Sequence, residues 1–215
     1  MAKHRGLLVT LEGPDGAGKS TQALLLAAAL KRRGVRVVLT REPGGSPLSA
    51  KIRELVLDPR MRGLHPCAEL LLFAADRRQH VADTIAPALK RGDLVLCDRF
   101  TDSTTAYQGA GRELGAADVA WINRFAARGL VPDLTLFFDL PVADGLKRAG
   151  RRKAGRDRME ASAPAYFGRV RRGFLRLARQ EPGRVKRIKV QGRGPDEICA
   201  EALGLLETVL GRAGR

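Results

Sequence analysis

The chain has 215 residues, of which 44% are hydrophobic, and carries a formal net charge of +16. This length suffices for one domain whose core needs neither a metal nor disulfides. No apolar run is long enough to span a bilayer, so we expect no membrane partner. The first residues, MAKHRG, lead directly into the first predicted strand, so we expect no signal peptide. The cysteines at positions 67, 97 and 199 lie far apart without metal-like spacing, which favours a reduced, cytoplasmic protein.

The strong positive charge raises the question of a nucleic-acid partner. Aromatic residues make up only 5% of the chain, and they are not interleaved with the scattered arginines as in proteins that bind single strands. The densest basic cluster, from Arg148 to Arg158, also suits a segment that closes over a polyphosphate. We therefore expect small-molecule substrates and no nucleic acid. The alternative is a switch protein that acts only when nucleic acid is bound.

Strand and helix patterns alternate along the chain, which predicts an α/β fold with a five-stranded parallel sheet flanked by helices. The predicted strands are short, apolar and rich in branched residues, as strands buried on both faces are. They cover Leu7–Leu11, Arg36–Thr40, Leu94–Asp98, Leu134–Asp139 and Val185–Val190. The predicted helices cover Ser20–Arg33, Leu48–Leu57, Pro66–Arg91, Ala117–Arg128, Val142–Lys153, Pro164–Gln180 and Pro195–Leu210. We expect a single domain over residues 1–215, with a short mobile lid at about 148–162 that lacks apolar periodicity.

The first strand runs into a glycine-rich segment with the phosphate-binding P-loop pattern G-x-x-x-x-G-K-[ST]. This segment precedes a predicted helix, so backbone amides and the helix N-terminus can face phosphate oxygens. Lys19 would reach the outer phosphates of ATP, and Ser20 would offer its hydroxyl to Mg²⁺. The expected ATP-binding residues are Gly13, Pro14, Asp15, Gly16, Ala17, Gly18, Lys19, Ser20 and Thr21.

Polar residues follow three further strands, at the edge where open α/β sheets bind their ligands. The second strand leads into the segment TREPGG, the third ends in Asp98-Arg99, and the fourth ends in Asp139. Asp98 closes an apolar run, where a magnesium ion or an arginine would offset the cost of burial; a helix cap or surface ion pair is the alternative. Arg99 has the forked guanidinium that suits a phosphate monoester.

Six segments distributed over nearly the whole chain carry a resemblance to a known family. They are LEGPDGAGKST, VVLTREPGGSPLSAKIRELVL, AELLLFAADRRQH, APALKRGDLVLCDRFTDSTTAYQGAGREL, VPDLTLFFDL and the motif Asp157-Arg158-Met159-Glu160. Together they resemble the bacterial thymidylate kinases. The resemblance implies a P-loop kinase fold with a lid, a homodimer, and Mg²⁺-dependent phosphoryl transfer from ATP to thymidine 5'-monophosphate (dTMP). A kinase for a deoxynucleoside or another nucleoside monophosphate is the alternative.

The resemblance also implies roles for acceptor-binding residues. Asp15 would accept a hydrogen bond from the sugar 3'-hydroxyl. Phe73 would stack on the pyrimidine, although its apolar neighbours also suit a core residue. Arg77 lies four positions later on the same helix face and would donate to a base carbonyl. Thr104 and Gln108, in a segment expected to be a loop, would contact the base edge.

The acceptor phosphate requires cationic partners as well. The resemblance implies that Arg99 and Arg53 grip it, although Arg53 could also be an exposed helix charge. Glu42 would orient these arginines or the magnesium shell.

Charge on the transferred phosphoryl group is usually neutralised by an arginine. Some members of the family carry an arginine in the P-loop directly after the acid, where this chain has Gly16. We therefore expect the lid to supply the arginine, although a solvated basic loop is the alternative. The expected catalytic residues are Lys19, Arg99 and the lid arginines as a group. In the lid they are Arg158, which matches the lid motif of the family and would face the phosphates, with Arg151 or Arg152.

Overall fold

The computed structural model describes residues 6–61, 63–149, 158–159 and 162–213. Five strands form one parallel sheet in the order β2-β3-β1-β4-β5. The strands are β1 (Leu7–Glu12), β2 (Val37–Arg41), β3 (Leu94–Asp98), β4 (Leu134–Asp139) and β5 (Val185–Lys189). All five were predicted, with ends that differ by one residue at most, and the predicted α/β fold is confirmed.

Helices cover both faces of this sheet. They are α1 (Lys19–Arg32), α2 (Pro47–Leu57), α3 (Pro66–His80), α4 (Ala86–Lys90), α5 (Thr101–Thr104), α6 (Ala116–Ala126), α7 (Val142–Ala149), α8 (Pro164–Gln180) and α9 (Pro195–Ala213). Two π-helical segments, Val81–Ile85 and Thr105–Gly111, continue α3 into α4 and extend α5. None of the helices in the described residues is both long and apolar enough to cross a membrane.

The core consists of apolar layers on the two sides of the sheet. Val9 and Leu11 of β1 face α1 and α9, where they pack in one cluster with Leu26. The intervening Leu8 faces the opposite side and packs with Ile85. Because successive strand residues point to opposite faces, both sets of β1 side chains are buried, which accounts for the continuous apolar run in the sequence.

Two helical predictions need correction. The segment Pro66–Arg91, predicted as one helix, contains a π-helical turn directly before α4. Pro87 in α4 cannot donate a backbone hydrogen bond, and the wider turn lets the helical path continue past it. The segment expected to be a loop, Thr101–Gly109, is part of the helical stretch Thr101–Gly111, which packs closely on α8. A Cβ at Gly173 of α8 would lie 2.9 Å from the Cβ of Ala110, so the glycine permits this approach.

The lid prediction falls mainly outside the described residues. The predicted helix Val142–Lys153 is α7, which is described as far as Ala149. Arg151 and Arg152 lie outside the described residues, whereas Arg148 and Arg158 lie within them.

Candidate active site

One cleft of about 430 Å³ opens at the carboxyl edge of the sheet. Its size is in the usual range for a small-molecule site. The segments after β1, β2 and β3 contribute to it, and the last of these is largely helical. Helices α2 and α3 complete the lining. It brings together most of the predicted site residues, namely Asp15, Gly16, Gly18, Lys19, Ser20, Thr21, Glu42, Arg53, Phe73, Arg77, Asp98, Arg99, Thr104 and Gln108.

The P-loop depends on glycine at two close approaches. Gly13 has φ 139°, and a Cβ there would lie 2.4 Å from the carbonyl oxygen of Phe138. Gly16 has φ 79°, and a Cβ there would lie 2.7 Å from the carbonyl oxygen of Gly145. Both φ values and both contacts disfavour any side chain. An arginine at position 16 would therefore be strained in this loop and would require the backbone at Gly145 to shift.

Lys19 lies inside the P-loop rather than extending into solvent. Its Nζ donates hydrogen bonds to the carbonyl oxygens of Gly13 at 3.0 Å and Pro14 at 2.9 Å. Burial, followed by the nearby charge of Arg99, lowers the pKa of Lys19 to about 8. A phosphate oxygen is a stronger, charged acceptor than these carbonyls. Anion binding beside Lys19 would therefore stabilise its protonated form.

Ser20 and Asp98 form the pair expected to hold a metal. Ser20 Oγ donates to Asp98 Oδ2 at 2.6 Å, whereas the buried Asp98 Oδ1 has no hydrogen-bond partner in the part of the chain that the structure describes. Buried carboxylate oxygens normally have a partner, so this oxygen has an unused acceptor site. Hard cations such as Mg²⁺ prefer oxygen ligands of this kind. The two side chains therefore fit a magnesium ion shared with a bound triphosphate.

Arg99 is fixed at the boundary between the P-loop and the rest of the cleft. Its φ of 74° lies in the left-handed region that non-glycine residues seldom adopt. Arg99 Nη2 donates to Asp15 Oδ1 at 2.5 Å, and the guanidinium lies 5.0 Å from the ring centroid of Tyr107. Tyr107 Oη donates to the other oxygen of Asp15 at 3.0 Å. Asp15 therefore holds Arg99 and Tyr107 in fixed positions.

Arg77 lines the cleft but is almost fully buried, and it donates hydrogen bonds to three side chains. It donates to Glu42 Oε2 at 2.9 Å, to Asn123 Oδ1 at 2.7 Å and to Thr104 Oγ1 at 2.9 Å. Glu42 also contacts His80 Nδ1 at 3.0 Å. Glu42 and Thr104 therefore orient Arg77.

Phe73 and Arg53 are both half-buried and both line the cleft. Phe73 lies on α3, one turn before Arg77. Arg53 Nη1 donates to the carbonyl oxygen of Pro43 at 2.9 Å. A Cβ at Gly44, where φ is 100°, would lie 2.8 Å from Arg53 Cδ. The glycine after Pro43 therefore lets the Arg53 side chain pass close to the backbone of the TREPGG segment.

Arg158 does not line the cleft. Its Nη1 lies 2.7 Å from Glu69 Oε2, and its Nε donates to the carbonyl oxygen of Val56 at 2.9 Å. The adjacent Met159 lines the cleft instead. Within the described part of the basic segment, Arg148 is the arginine that contacts the P-loop, through a 3.3 Å hydrogen bond to the carbonyl oxygen of Gly16.

Two buried acids were not predicted to belong to the site. Glu12, at the end of β1, accepts hydrogen bonds from the backbone of Phe100 and from the hydroxyl of Ser103. Glu69, on α3, contacts Gln108 and Arg158. Each acid adjoins a mainly apolar run, LLVTLE or AELLLF, and Asp98 was identified because it closes such a run. A search for every acid beside an apolar run would have found both Glu12 and Glu69.

Comparisons with known proteins agree with this architecture. The family model described as thymidylate kinase matches residues 11–199. A thymidylate kinase from Pseudomonas syringae pv. syringae is 50% identical over 206 residues, which is 95% of each chain. One from Pseudomonas fluorescens (strain SBW25) is 55% identical over 83% of this chain and 85% of its own. A crystal structure of thymidylate kinase from Ehrlichia chaffeensis superposes with a TM-score of 0.76 at 32% identity, covering 94% of this chain and 99% of that one. The chain therefore belongs to the thymidylate kinase family.

Proposed function

We propose that this protein transfers the terminal phosphoryl group of ATP to dTMP, giving thymidine 5'-diphosphate and ADP for deoxynucleotide synthesis. The observation that supports the proposal best is the shared cleft, in which the P-loop lies beside Phe73, Arg77 and Arg99. A donor site and an acceptor site in one cavity are what direct transfer requires, because proximity and orientation supply much of the rate enhancement.

The P-loop holds the donor in this proposal. Its amides and the start of α1 bind the phosphates of ATP, and Lys19 donates to the outer ones. Ser20 and Asp98 would hold Mg²⁺ next to the donor phosphates. The ion, when bound, neutralises charge on the phosphate oxygens.

The opposite side of the cleft holds the acceptor. Phe73 stacks on the thymine ring, while Arg77 donates to a base carbonyl and Gln108 contacts the base edge. Asp15 accepts a hydrogen bond from the 3'-hydroxyl.

The acceptor phosphate is bound by arginines. Arg99 binds it with Arg53, through the forked donors that suit a phosphate monoester.

Transfer then needs no covalent enzyme intermediate. An oxygen of the dTMP phosphate attacks the terminal phosphorus of ATP in line with the departing ADP oxygen. Lys19 and the basic segment stabilise charge on the moving group, with Arg151 and Arg152 as the proposed catalytic arginines. Arg99 keeps the attacking oxygen in position.

A panel of acceptors tests the proposal. The protein is incubated with ATP, Mg²⁺ and one of dTMP, dUMP, dCMP, dGMP or thymidine, and ADP release is followed with a coupled assay. We expect the highest kcat/KM for dTMP. Equal activity with thymidine, or ADP release that requires an oligonucleotide, would contradict the proposal.

We further propose that the protein is a cytoplasmic homodimer. Trp121 and Phe125 of α6 are exposed on the chain and stack with ring centroids 5.5 Å apart. Leu71 is exposed on α3, which packs against α6. Large exposed apolar side chains grouped in this way are typical of interfaces. Sedimentation equilibrium should give twice the chain mass for the wild type and the chain mass for Trp121→Lys; a monomeric wild type would contradict this proposal.

A further inference from the structure

The carboxylate of Glu69 is completely buried behind the cleft, and three side chains of the described residues contact it, with Arg112 donating also through its Nε to Oε1 at 3.2 Å. Gln108 Nε2 lies 2.8 Å from its Oε1, whereas Arg112 Nη2 and Arg158 Nη1 lie 3.1 Å and 2.7 Å from its Oε2. Burial by itself would raise the pKa of Glu69, but hydrogen bonds from Arg112 and Gln108 outweigh it and hold the pKa below its ordinary value. Glu69 is therefore ionised at neutral pH.

An ionised carboxylate determines which way the side-chain amide of Gln108 faces. A carboxylate can only accept hydrogen bonds, so Gln108 must direct its NH₂ group towards Glu69. The opposite orientation would place the amide oxygen against a buried negative charge. With the NH₂ group turned towards Glu69, the carbonyl oxygen of Gln108 is the hydrogen-bond acceptor that its amide can offer to a ligand in the cleft that this residue lines.

Further contacts and burial fix the positions of Arg112, Arg158 and Gln108, the side chains that contact Glu69. The Arg112 guanidinium lies 4.6 Å from the ring centroid of Tyr166. Arg158 Nε is bound to the carbonyl oxygen of Val56. Gln108 is itself almost fully buried, so it cannot easily adopt another rotamer. Glu69 thus has fixed partners, and Gln108 has a fixed amide orientation.

A hydrogen-bond acceptor at the position of the Gln108 carbonyl oxygen discriminates between pyrimidine bases. Thymine and uracil carry an N3–H donor, whereas cytosine has a lone pair at N3 and would face the amide oxygen without a hydrogen bond. We propose that Glu69 is a positioning residue that selects thymine-type bases by fixing the amide orientation of Gln108. This inference rests on the proposed function and on contact between Gln108 and the base.

The variant Glu69→Gln tests the inference because its amide can either donate or accept. Gln108 could then adopt both orientations. We expect the kcat/KM ratio of dTMP over dCMP to fall about tenfold or more, mainly through the KM values of these acceptors. The KM for ATP should stay within about twofold of the wild-type value. Glu54→Gln, which removes an exposed acid on α2, is the matched control and should leave both quantities unchanged.

A second variant and a double-mutant cycle cover the case in which Glu69→Gln does not fold. Glu69→Asp keeps the negative charge but shortens the side chain by one methylene group, which withdraws the carboxylate from Gln108, so selectivity should again fall. In a Gln108→Met background, neither change at position 69 should reduce selectivity further. Circular dichroism melting identifies which variants are folded.

The possible results separate this inference from the proposed function. Wild-type selectivity in a folded position-69 variant, or equal losses towards ATP and dTMP, would overturn the role of Glu69. A wild-type protein that does not phosphorylate dTMP would overturn the proposed function itself. Loss of selectivity only when Gln108 is present would support the positioning role.

Discussion

Replacing Glu12 by glutamine should remove a pH dependence of folding stability. Glu12 is fully buried and accepts hydrogen bonds from the backbone N–H groups of Phe100 and Ser103, at 2.7 Å and 3.2 Å. The hydroxyl of Ser103 donates a third, at 2.6 Å. Burial, followed by the nearby charge of Asp102, raises the pKa of Glu12 from 4.5 to about 8. Folding therefore favours the protonated carboxyl group.

The sign of the effect follows from the number of bound protons. Between pH 4.5 and about 8, the native state binds more protons at Glu12 than the unfolded chain does. The free energy of unfolding therefore falls as pH rises through this range. At about 1.4 kcal/mol for each pH unit, the upper limit is about 5 kcal/mol. We expect the wild type to lose at least about 2 kcal/mol more than Glu12→Gln between pH 5 and 8.

Urea unfolding followed by circular dichroism, at about pH 5, 6.5 and 8, measures this difference. Asp76, whose pKa burial and Glu42 raise to about 6, titrates in both proteins and cancels in the comparison. Glu207→Gln, which changes a half-exposed acid on α9, should follow the wild-type curve. Parallel stability curves for the wild type and Glu12→Gln would refute the reasoning.

Three further predictions concern the proposed reaction. Lys19→Ala should abolish turnover with little change in melting temperature; near-normal turnover would exclude the role of Lys19. Phe73→Ala should weaken dTMP binding by roughly 1–3 kcal/mol, because the ring would no longer stack on the base. If titration calorimetry gives the wild-type affinity for dTMP, Phe73 only packs in the core. Replacing both Arg151 and Arg152 by alanine should lower kcat more than the affinity for ATP. Equal losses in kcat and in ATP affinity would indicate that these arginines only bind ATP.

The features that were predicted well depend on residues that are close together in the sequence. Strand β1 and the P-loop follow from an apolar run that ends in closely spaced glycines, and Gly13 and Gly16 are required by contacts within that loop. The ends of parallel strands share one edge of a sheet, so Asp98 and Arg99 could be placed in the cleft without coordinates.

The features that were missed depend on contacts between distant parts of the chain. Thr101–Gly111 has many residues with low helix propensity, and its packing on α8 makes it helical. Glu69 and Arg158 are 89 positions apart in the sequence, and no local pattern predicts their 2.7 Å contact. For the same reason the lid motif suggested a phosphate-facing Arg158, whereas this arginine contacts a buried acid.

A crystal structure with dTMP and a non-hydrolysable ATP analogue would show whether donor and acceptor bind side by side. We expect both nucleotides in the cleft, with the analogue's phosphates on the P-loop and the thymine ring against Phe73. The dTMP phosphate should lie beside Arg99, directed at the terminal phosphate of the analogue. A complex in which dTMP binds outside this cleft, or with its phosphate away from Arg99, would contradict the account.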